Sequence, residues 1–450
     1  MVDSIKWKGC ETLSRIMVLG YDLPVLAAGV VEARSYRTWQ FVDPLLVDGH
    51  QVCLVVSSKD NEFDIAHSLA PNLHYHRLAI RRPGWPRHLR HLYEQFDPEG
   101  VLAVMFNNCL RVTRLPTDRP IWMDLYGDKL AETQVAEYTQ HSSRGRRNMS
   151  RYLKTILRYG DVYSTCSTPQ KYALVGQLGA VSRLDRHTFG YEFVYPVLPG
   201  ARTHQGDDLV PSLRGDLIPT DAFVVLWCGG YNVWTDVDTL FQALDAAMSC
   251  DPRIVFVSVG GGVKLKQNDC YERFLAMIET SAHRQRYHML GWRPVSEVPM
   301  YYRAADVGIN LDAFHYETLL GTRTRLVEMM SYGLPVITSL GCELSVMIRD
   351  RRLGLTFPIG DVTAFRDQIL MLARDSTQQE MLAQRAEHYA THQLSFAETT
   401  HPFREWANRP YHAPDREKGA RRWDLREIEY YLRFLVRGLL WRLWALERGD

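Results

Sequence analysis

The stretch ETLLGTRTRLVEMMSYGLPVIT, residues 317–338, decides the fold of this chain. It predicts a loop, a helix that opens with Arg323 and Arg325, and then a buried strand. Gly333 fits the position just after a helix, and Pro335 prevents the helix from resuming. A helix N-terminus has unpaired N–H groups and partial positive charge, and arginines add further donors, so this segment suits a phosphorylated ligand. The alternative is an ordinary amphipathic helix that packs its apolar face into a core.

Length and composition indicate two domains and a tail. The chain has 450 residues, of which 46% are hydrophobic and 23% are charged. Its formal net charge of +1 gives no general attraction to nucleic acid, so we predict no nucleic-acid partner. The 8 cysteines include no C-x-x-C pair, which predicts buried thiols and neither disulfides nor a zinc site. We predict no metal and no cofactor.

The cellular compartment predicted from the sequence is the cytoplasm. The first apolar run, residues 16–31, is interrupted by Asp22 and Pro24 and follows no basic segment, unlike a signal peptide. No stretch reaches the roughly 20 apolar residues that span a bilayer. The scattered cysteines also suit a reducing compartment.

Short apolar runs alternate with helical patterns along both halves of the chain, which predicts mostly parallel sheets covered by helices. Residues 199–221 are polar and rich in Gly and Pro, and we interpret them as a linker. The sequence therefore predicts a Rossmann-like domain at 1–200, a second Rossmann-like domain at 201–400, and C-terminal helices at 401–450. In doubly wound sheets, ligands bind at the carboxyl ends of the strands and between domains. The predicted strands are Arg15–Gly20, 51–57, 101–106, 120–124, 161–166, 191–197, 222–228, 253–259, 287–290, 306–311 and 334–339.

A glycine turn follows the first strand of the second half. Gly229, Gly230 and Tyr231 come directly after that strand and before a helix, which is the setting of a backbone phosphate cradle. The segment is neither a P-loop nor a clean G-x-G-x-x-G motif. A plain turn is the alternative interpretation.

Four acidic residues are candidates for chemistry. Glu328 lies one turn after Arg325 and is predicted either to bind ribose hydroxyls or to pair with an arginine. Glu317 is predicted to bind sugar hydroxyls or to be a solvated loop acid. Asp124 and Asp128 lie at the carboxyl end of a predicted strand, where catalytic groups commonly project, although Asp128 is equally interpretable as a helix cap. Glu317, Asp124 and Asp128 are the predicted catalytic residues.

Two other regions suggest partners. Basic clusters at 81–91 and 144–151 suit an anionic acceptor or lipid headgroups, or are solvated loops. Residues 424–446 have leucines at helical spacing, opposed by arginines. Such a helix lies in a membrane interface, docks on the chain's own body, or contacts a second subunit; these alternatives, and with them the oligomeric state, stay open.

The chain resembles the family 4 glycosyltransferases, retaining enzymes of the two-domain type called GT-B. The stretches that carry the resemblance are Arg15–Gly20 with 49–52, then 224–230, 287–310 and, above all, 321–338. The resemblance implies two domains that face a central cleft, and base recognition by the loop that contains Gly291 and Trp292. It also implies a nucleotide diphospho-sugar donor and no required metal.

The chain departs from the family pattern in two ways. The family has two glutamates separated by seven residues; Glu328 matches the second, but the first position is Leu320, for which Glu317 is a substitute. The family also has an arginine and a lysine in and after the glycine turn, and both are missing here. Our hypothesis is that Arg323 and Arg325 supply that charge. The predicted substrate-binding residues are Gly29, Gly229, Gly230, Tyr231, Gly291, Trp292, Arg293, Leu320, Gly321, Thr322, Arg323, Arg325 and Glu328.

The predicted function is transfer of a sugar from a nucleotide diphospho-sugar to an acceptor hydroxyl, with retention, in glycan, polysaccharide or glycoconjugate biosynthesis. The acceptor, which is a glycan, a lipid-linked glycan or a small molecule, is predicted to dock on the first domain near Gly29, Arg34 and 124–128. Two alternatives stay open. One is a sugar-nucleotide epimerase on the same architecture, and the other is a non-catalytic nucleotide-sugar-binding subunit, which the missing family residues suggest.

Overall fold

A computed structural model describes residues 13–22, 33–58, 64–81, 84–141, 145–202, 213–215, 217–263 and 269–416. Gly29 and the predicted tail helix at 424–446 lie outside these residues. None of the described helices is both long enough and apolar enough to cross a bilayer.

The first domain contains one sheet covered by helices on both faces. Its strand order is β3-β4-β2-β1-β5-β6-β7-β8, and every neighbouring pair is parallel except β3 with β4. The antiparallel β3 at one edge and its neighbour β4 were not predicted from the sequence, and neither was β14 (Leu355–Pro358) in the second domain. The elements are β1 (Arg15–Gly20), α1 (Ala33–Val47), β2 (Gln51–Ser58), β3 (Asp64–Ala70), β4 (Leu73–Ala79), α2 (Trp85–Phe96), β5 (Gly100–Val104), α3 (Phe106–Val112), β6 (Ile121–Leu125), α4 (Lys129–Thr139), α5 (Gly145–Tyr159), β7 (Val162–Thr165), α6 (Thr168–Ala180) and β8 (Val194–Pro196).

The second domain repeats this architecture with a fully parallel sheet, ordered β11-β10-β9-β12-β13-β14. Its central strands are apolar on both faces because helices cover both sides. The elements are β9 (Phe223–Cys228), α7 (Val237–Cys250), β10 (Ile254–Val259), α8 (Cys270–Thr280), β11 (Tyr287–Gly291), α9 (Val298–Ala304), β12 (Val307–Asn310), α10 (Tyr316–Leu320), α11 (Thr324–Ser331), β13 (Val336–Leu340), α12 (Glu343–Arg351), β14 (Leu355–Pro358), α13 (Val362–Arg374) and α14 (Ser376–His392).

The chain returns to the first domain after α14. Two short helices, α15 (Phe396–Thr399) and α16 (His401–Asn408), pack against α1. The rings of Phe403 and Trp406 lie 5.3 Å and 5.7 Å from that of Trp122 and complete the core on one face of the first sheet. An ion pair between Arg183 and Asp415 fixes the last described segment to the same domain.

The two domains touch at the carboxyl ends of their strands. The hydroxyls of Tyr126 and Thr324 are 2.6 Å apart, and Ser167 Oγ donates to the Leu320 carbonyl at 2.5 Å. Both contacts join the first domain to the α10–α11 segment. The structure thus has the two doubly wound domains and the narrow central cleft that the sequence predicts.

Candidate functional site

The candidate site lies where the glycine turns of the second domain meet the start of α11 and face the first domain. Gly229 follows β9 with φ of +119°, and Gly260 follows β10 with φ of +127°. A Cβ on Gly260 would lie 2.1 Å from the Gly229 carbonyl oxygen, so only glycine allows these two turns to pack together. The result is a surface of bare backbone next to the cleft, which a ligand can approach closely.

Trp292 covers one side of the glycine turns. Its indole Nε1 donates to the Gly262 carbonyl at 3.4 Å, and the ring approaches the Cα positions of Gly230 and Gly261. The side chain remains 45% exposed. An exposed indole beside a backbone turn is suited to stacking on a planar base. Gly291, which ends β11, accepts a hydrogen bond from the N–H of Gly260.

Arg325 reaches from α11 to the glycine turn. Its Nη2 donates to the Gly230 carbonyl at 2.9 Å, and its guanidinium lies 4.1 Å from the centre of the Trp227 ring. Burial lowers the pKa of this guanidinium. Its buried Nη1 has no hydrogen-bond partner among the described residues. A buried cationic donor without a partner suits an anion at this position.

Arg323 has a different environment from Arg325. Its Nε is 2.9 Å and 2.8 Å from the two carboxylate oxygens of Asp312, and its Nη1 and Nη2 donate to the two oxygens of Glu317 at 3.1 Å and 2.9 Å. All three side chains are nearly fully buried. The charge on Arg323 is therefore already balanced inside the second domain.

The same ion pairs determine the state of Glu317. Burial raises the pKa of its carboxyl, and the neighbouring Arg323 opposes that shift. A sugar hydroxyl would have to compete with Arg323 for the carboxylate. The next residues form the tight connection to α11: Gly321 leaves no room for a Cβ against the Glu317 carbonyl, and Thr322 Oγ1 is buried without a partner among the described residues.

Glu328 lies on α11 at the interface between the domains. The hydroxyl of Tyr302 donates to its Oε2 at 3.4 Å, and Tyr36 of α1 forms a second hydrogen bond to the same carboxyl group. Burial raises the pKa of Glu328 to about 7, against the opposing effect of its tyrosine partners and Arg325. A carboxyl group with this pKa changes its charge near neutral pH.

Other predicted residues lie away from the cleft surface or serve the fold. Asp124 is completely buried, where Arg37 binds both of its oxygens at 3.0 Å and 2.7 Å. Asp128 caps α4 by accepting from the N–H of Ala131, which is the alternative that the sequence left open. Tyr231 is in the core, with its hydroxyl 2.8 Å from Ser258 Oγ.

Some predicted ligand groups lie in the connections around the cleft. Leu320 presents its carbonyl to the first domain, and the buried Nε of Arg293 has no partner within the described residues.

No set of three or more His, Cys, Asp or Glu side chains is grouped for metal binding in the described ranges. Sequence reasoning missed Tyr36, and it included Tyr126 only in the acceptor region 124–128; both tyrosines contact α11 from the first domain. No motif marks either tyrosine, since both contacts depend on how the domains meet.

Comparisons with known proteins agree with this architecture. Residues 222–375 match the family described as group 1 glycosyl transferases. No curated protein matches the sequence. Sucrose-phosphate synthase from Thermosynechococcus elongatus has a similar structure, with a TM-score of 0.66 at 16% identity over 87% of this chain and 98% of its own.

Two further structures with the same fold contain a nucleotide or nucleotide sugar. Anabaena HepE in complex with UDP and glucose has a TM-score of 0.61 at 14% identity, covering 87% of this chain and 98% of its own. The E. coli trehalose-6-phosphate structure bound with UDP-2-fluoro glucose has a TM-score of 0.62 at 10% identity, covering 89% and 100%. These likenesses establish the fold.

The chain has the two-domain GT-B fold. Its second domain matches the group 1 glycosyl transferases over residues 222–375, and the resemblance to family 4 GT-B enzymes that the sequence predicts is confirmed.

Proposed function

We propose that the chain transfers a sugar from a nucleotide diphospho-sugar to an acceptor hydroxyl, with retention at the anomeric carbon. The main support is Arg325, whose buried guanidinium adjoins the Gly229–Gly230 turn and has one donor without a partner among the described residues. A diphosphate at this turn would accept from that donor. Sugar transfer builds negative charge on the departing diphosphate, and a preorganised arginine in a water-poor site stabilises that charge where it develops.

The surrounding groups fit the rest of a nucleotide sugar. In our proposal the base stacks on Trp292, which is exposed beside the glycine turns, and the ribose hydroxyls donate to Glu328. The bound UDP of HepE and UDP-2-fluoro glucose of the E. coli structure make a UDP-sugar the first donor to test. Because the first domain already contacts α11, closure around the donor would exclude water and limit its hydrolysis.

The acceptor side of the proposal is more general. We place the acceptor, which is a glycan, a lipid-linked glycan or a small molecule, on the first domain opposite Arg325. The reaction then serves glycan, polysaccharide or glycoconjugate biosynthesis on the cytoplasmic side of the cell. Peripheral membrane contact through 424–446 is part of this proposal, although that segment lies outside the described residues.

One observation favours a second candidate, a non-catalytic subunit that binds nucleotide sugars. Leu320 occupies the family's first glutamate position, and the substitute, Glu317, is paired with Arg323. Such a protein would bind the donor without transferring the sugar.

Donor binding and turnover distinguish these candidates. Calorimetric titration with UDP-glucose should show at least tenfold weaker binding for Arg325→Ala, because a charge-assisted contact to the diphosphate is lost. The matched control is Arg385→Ala, an exposed arginine on α14 of the same domain. Equal affinity of both variants and the wild type would refute the diphosphate role of Arg325.

Free nucleotide released only when an acceptor is present would support transfer, whereas donor binding without release across an acceptor panel would favour the binding subunit. The base is identified by thermal stabilisation with UDP-, GDP-, ADP- and TDP-sugars, since a ligand at about 100 times its dissociation constant adds about 2.7 kcal/mol.

A further inference from the structure

Helix α5 has a positively charged outer face. Its sequence, GRRNMSRYLKTILRY, contains five basic residues and no acidic residue. Leu153, Ile156 and Leu157 are buried against the first sheet. Arg147, Arg151 and Lys154 are exposed, and their spacing of four and three residues places them on one face of the helix.

Carboxylates of the described residues do not balance this charge. No ion pair among those residues includes Arg147, Arg151 or Lys154, although other cations of the first domain, such as Arg90 and Lys129, have carboxylate partners. Like charges one turn apart destabilise a helix slightly. Glu137, an acid on α4, accepts a hydrogen bond from the backbone N–H of Arg146 at the start of α5. An external anionic surface would remove this repulsion.

Helix α2 adds charge on the same side of the molecule. Its buried residues Leu89 and Leu92 belong to the same apolar core layer as those of α5, so both helices cover one face of the first sheet. The outward residues of α2 include Arg87, Arg90 and His91, and its one acid, Glu94, is paired with Arg90. We call the exposed faces of these two helices the α2–α5 surface.

The α2–α5 surface extends toward the cleft. Helix α5 begins against α4, which contacts α10 of the second domain, and it ends next to the amino end of β7. Its basic face thus runs from near the interdomain cleft to the amino ends of the strands on the other side of the first domain. Tyr138, at the end of α4, is 78% exposed near the start of α5. Tyrosines are enriched where proteins meet the headgroup region of a bilayer.

We propose that the α2–α5 surface binds an anionic lipid bilayer. Basic residues exposed on two helices that cover the same sheet face, with an exposed tyrosine beside α5, match the chemistry of a membrane surface. The cleft then opens close to the bilayer. This inference is independent of which nucleotide sugar the second domain takes.

Vesicle co-sedimentation of the full chain tests the proposal. Vesicles of phosphatidylcholine alone are compared with vesicles that contain about 30% phosphatidylglycerol, where each nearby basic residue contributes roughly a fivefold factor to binding. The variant R147Q/R151Q/K154Q should therefore bind anionic vesicles at least about thirtyfold more weakly than the wild type. The control R284Q/R349Q/R385Q removes the same charge from exposed positions of the second domain and should bind like the wild type.

Four results would overturn the proposal. The first is that the wild type does not bind anionic vesicles. The second is that the α5 variant binds them as strongly as the wild type, which would assign the contact to other residues, such as 424–446. Equal weakening by the control variant, which would mean non-specific attraction, is the third. The fourth is α5-dependent binding to soluble polyphosphate without vesicle binding. The α5 variant should have the same unfolding temperature and the same affinity for UDP-glucose as the wild type. These two measurements separate the test of membrane binding from the test of the donor site.

Discussion

The hydroxyl of Tyr36, on α1 of the first domain, is hydrogen-bonded to the carboxyl group of Glu328, on α11 of the second. This bond crosses the cleft at the residue to which we assign ribose binding. A side chain of the opposite domain thus occupies one of the acceptor positions of Glu328. Donor binding would require this bond to break or rearrange, which couples occupancy of the site to the relative position of the domains.

Substitution of Tyr36 by phenylalanine should strengthen donor binding. The variant retains the ring but removes the hydroxyl that competes for Glu328, and hydrogen bonds to charged groups contribute about 1.5–3 kcal/mol. Because part of this is recovered from water, we expect a threefold to tenfold lower dissociation constant for UDP-glucose by calorimetry. Tyr302→Phe is the matched control, since Tyr302 binds Glu328 from within the second domain. Weaker binding by Tyr36→Phe would mean that Tyr36 positions Glu328 instead of competing with its ligand.

Glu328 should make both donor binding and stability depend on pH. Its pKa is raised from 4.5 to about 7 by burial, so the folded protein holds this proton more tightly than the unfolded chain. The free energy of unfolding should therefore fall as pH rises from about 4.5 to about 7, by up to about 3 kcal/mol. Donor affinity should rise over pH 6–8, since only the carboxylate accepts from both ribose hydroxyls.

The variant Glu328→Gln should remove both effects because it cannot ionise. Denaturant titrations at pH 5 and pH 8 should show that the variant gains stability relative to the wild type at the higher pH. If the two proteins respond to pH identically, another group is responsible for the pH dependence.

Arg323→Ala should reduce stability much more than Arg325→Ala does. Removing Arg323 leaves Asp312 and Glu317 buried without their cation, and loss of one partner of a buried ion pair costs about 3–5 kcal/mol. Arg325 donates to one carbonyl, so its removal should cost about 1 kcal/mol. Urea unfolding of both variants measures the difference. Comparable stability of the two variants would contradict the structural role of Arg323.

Gly260→Ala should disrupt the donor site through the backbone. The added Cβ would lie 2.1 Å from the Gly229 carbonyl oxygen, and φ is +127°, so the two glycine turns would have to separate. We expect a loss of more than 2 kcal/mol of stability and at least tenfold weaker UDP-glucose binding.

Gly190→Ala is the control for backbone strain alone. Its φ is +79°, and no atom lies within 4 Å of the added Cβ. This variant should cost about 1 kcal/mol and leave donor binding unchanged. Equal donor binding by the Gly260 variant and the wild type would show that the two turns do not form the site.

The sequence predicts the fold well because its signals are local. A few consecutive residues encode each apolar strand, each glycine turn and the end of α11 at Gly333-Leu-Pro335. The alternation of strands and helices then determines the arrangement of the layers. Strands β3, β4 and β14, which lie at or next to a sheet edge, were not predicted. The antiparallel pairing of β3 depends on its neighbour β4 and not on its own pattern.

The site is less predictable because it depends on contacts between distant residues. Arg323 and Arg325 look equivalent in sequence, yet Asp312 and Glu317 neutralise one and leave the other at the glycine turn. Asp124 lies near the end of a strand like a catalytic acid, and only the structure shows Arg37 beside it. Tyr36 has no sequence signal because its partner is almost 300 residues away.

The return of the chain to the first domain has a consequence for biosynthesis. Phe403 and Trp406 are synthesised about 200 residues after the last strand of the domain whose core they fill. At typical translation rates of 5–20 residues per second, the nascent first domain waits about 10–40 s with that apolar face uncovered. Ribosome-bound intermediates that end before residue 400 should therefore recruit chaperones, and the second domain should mature before the first.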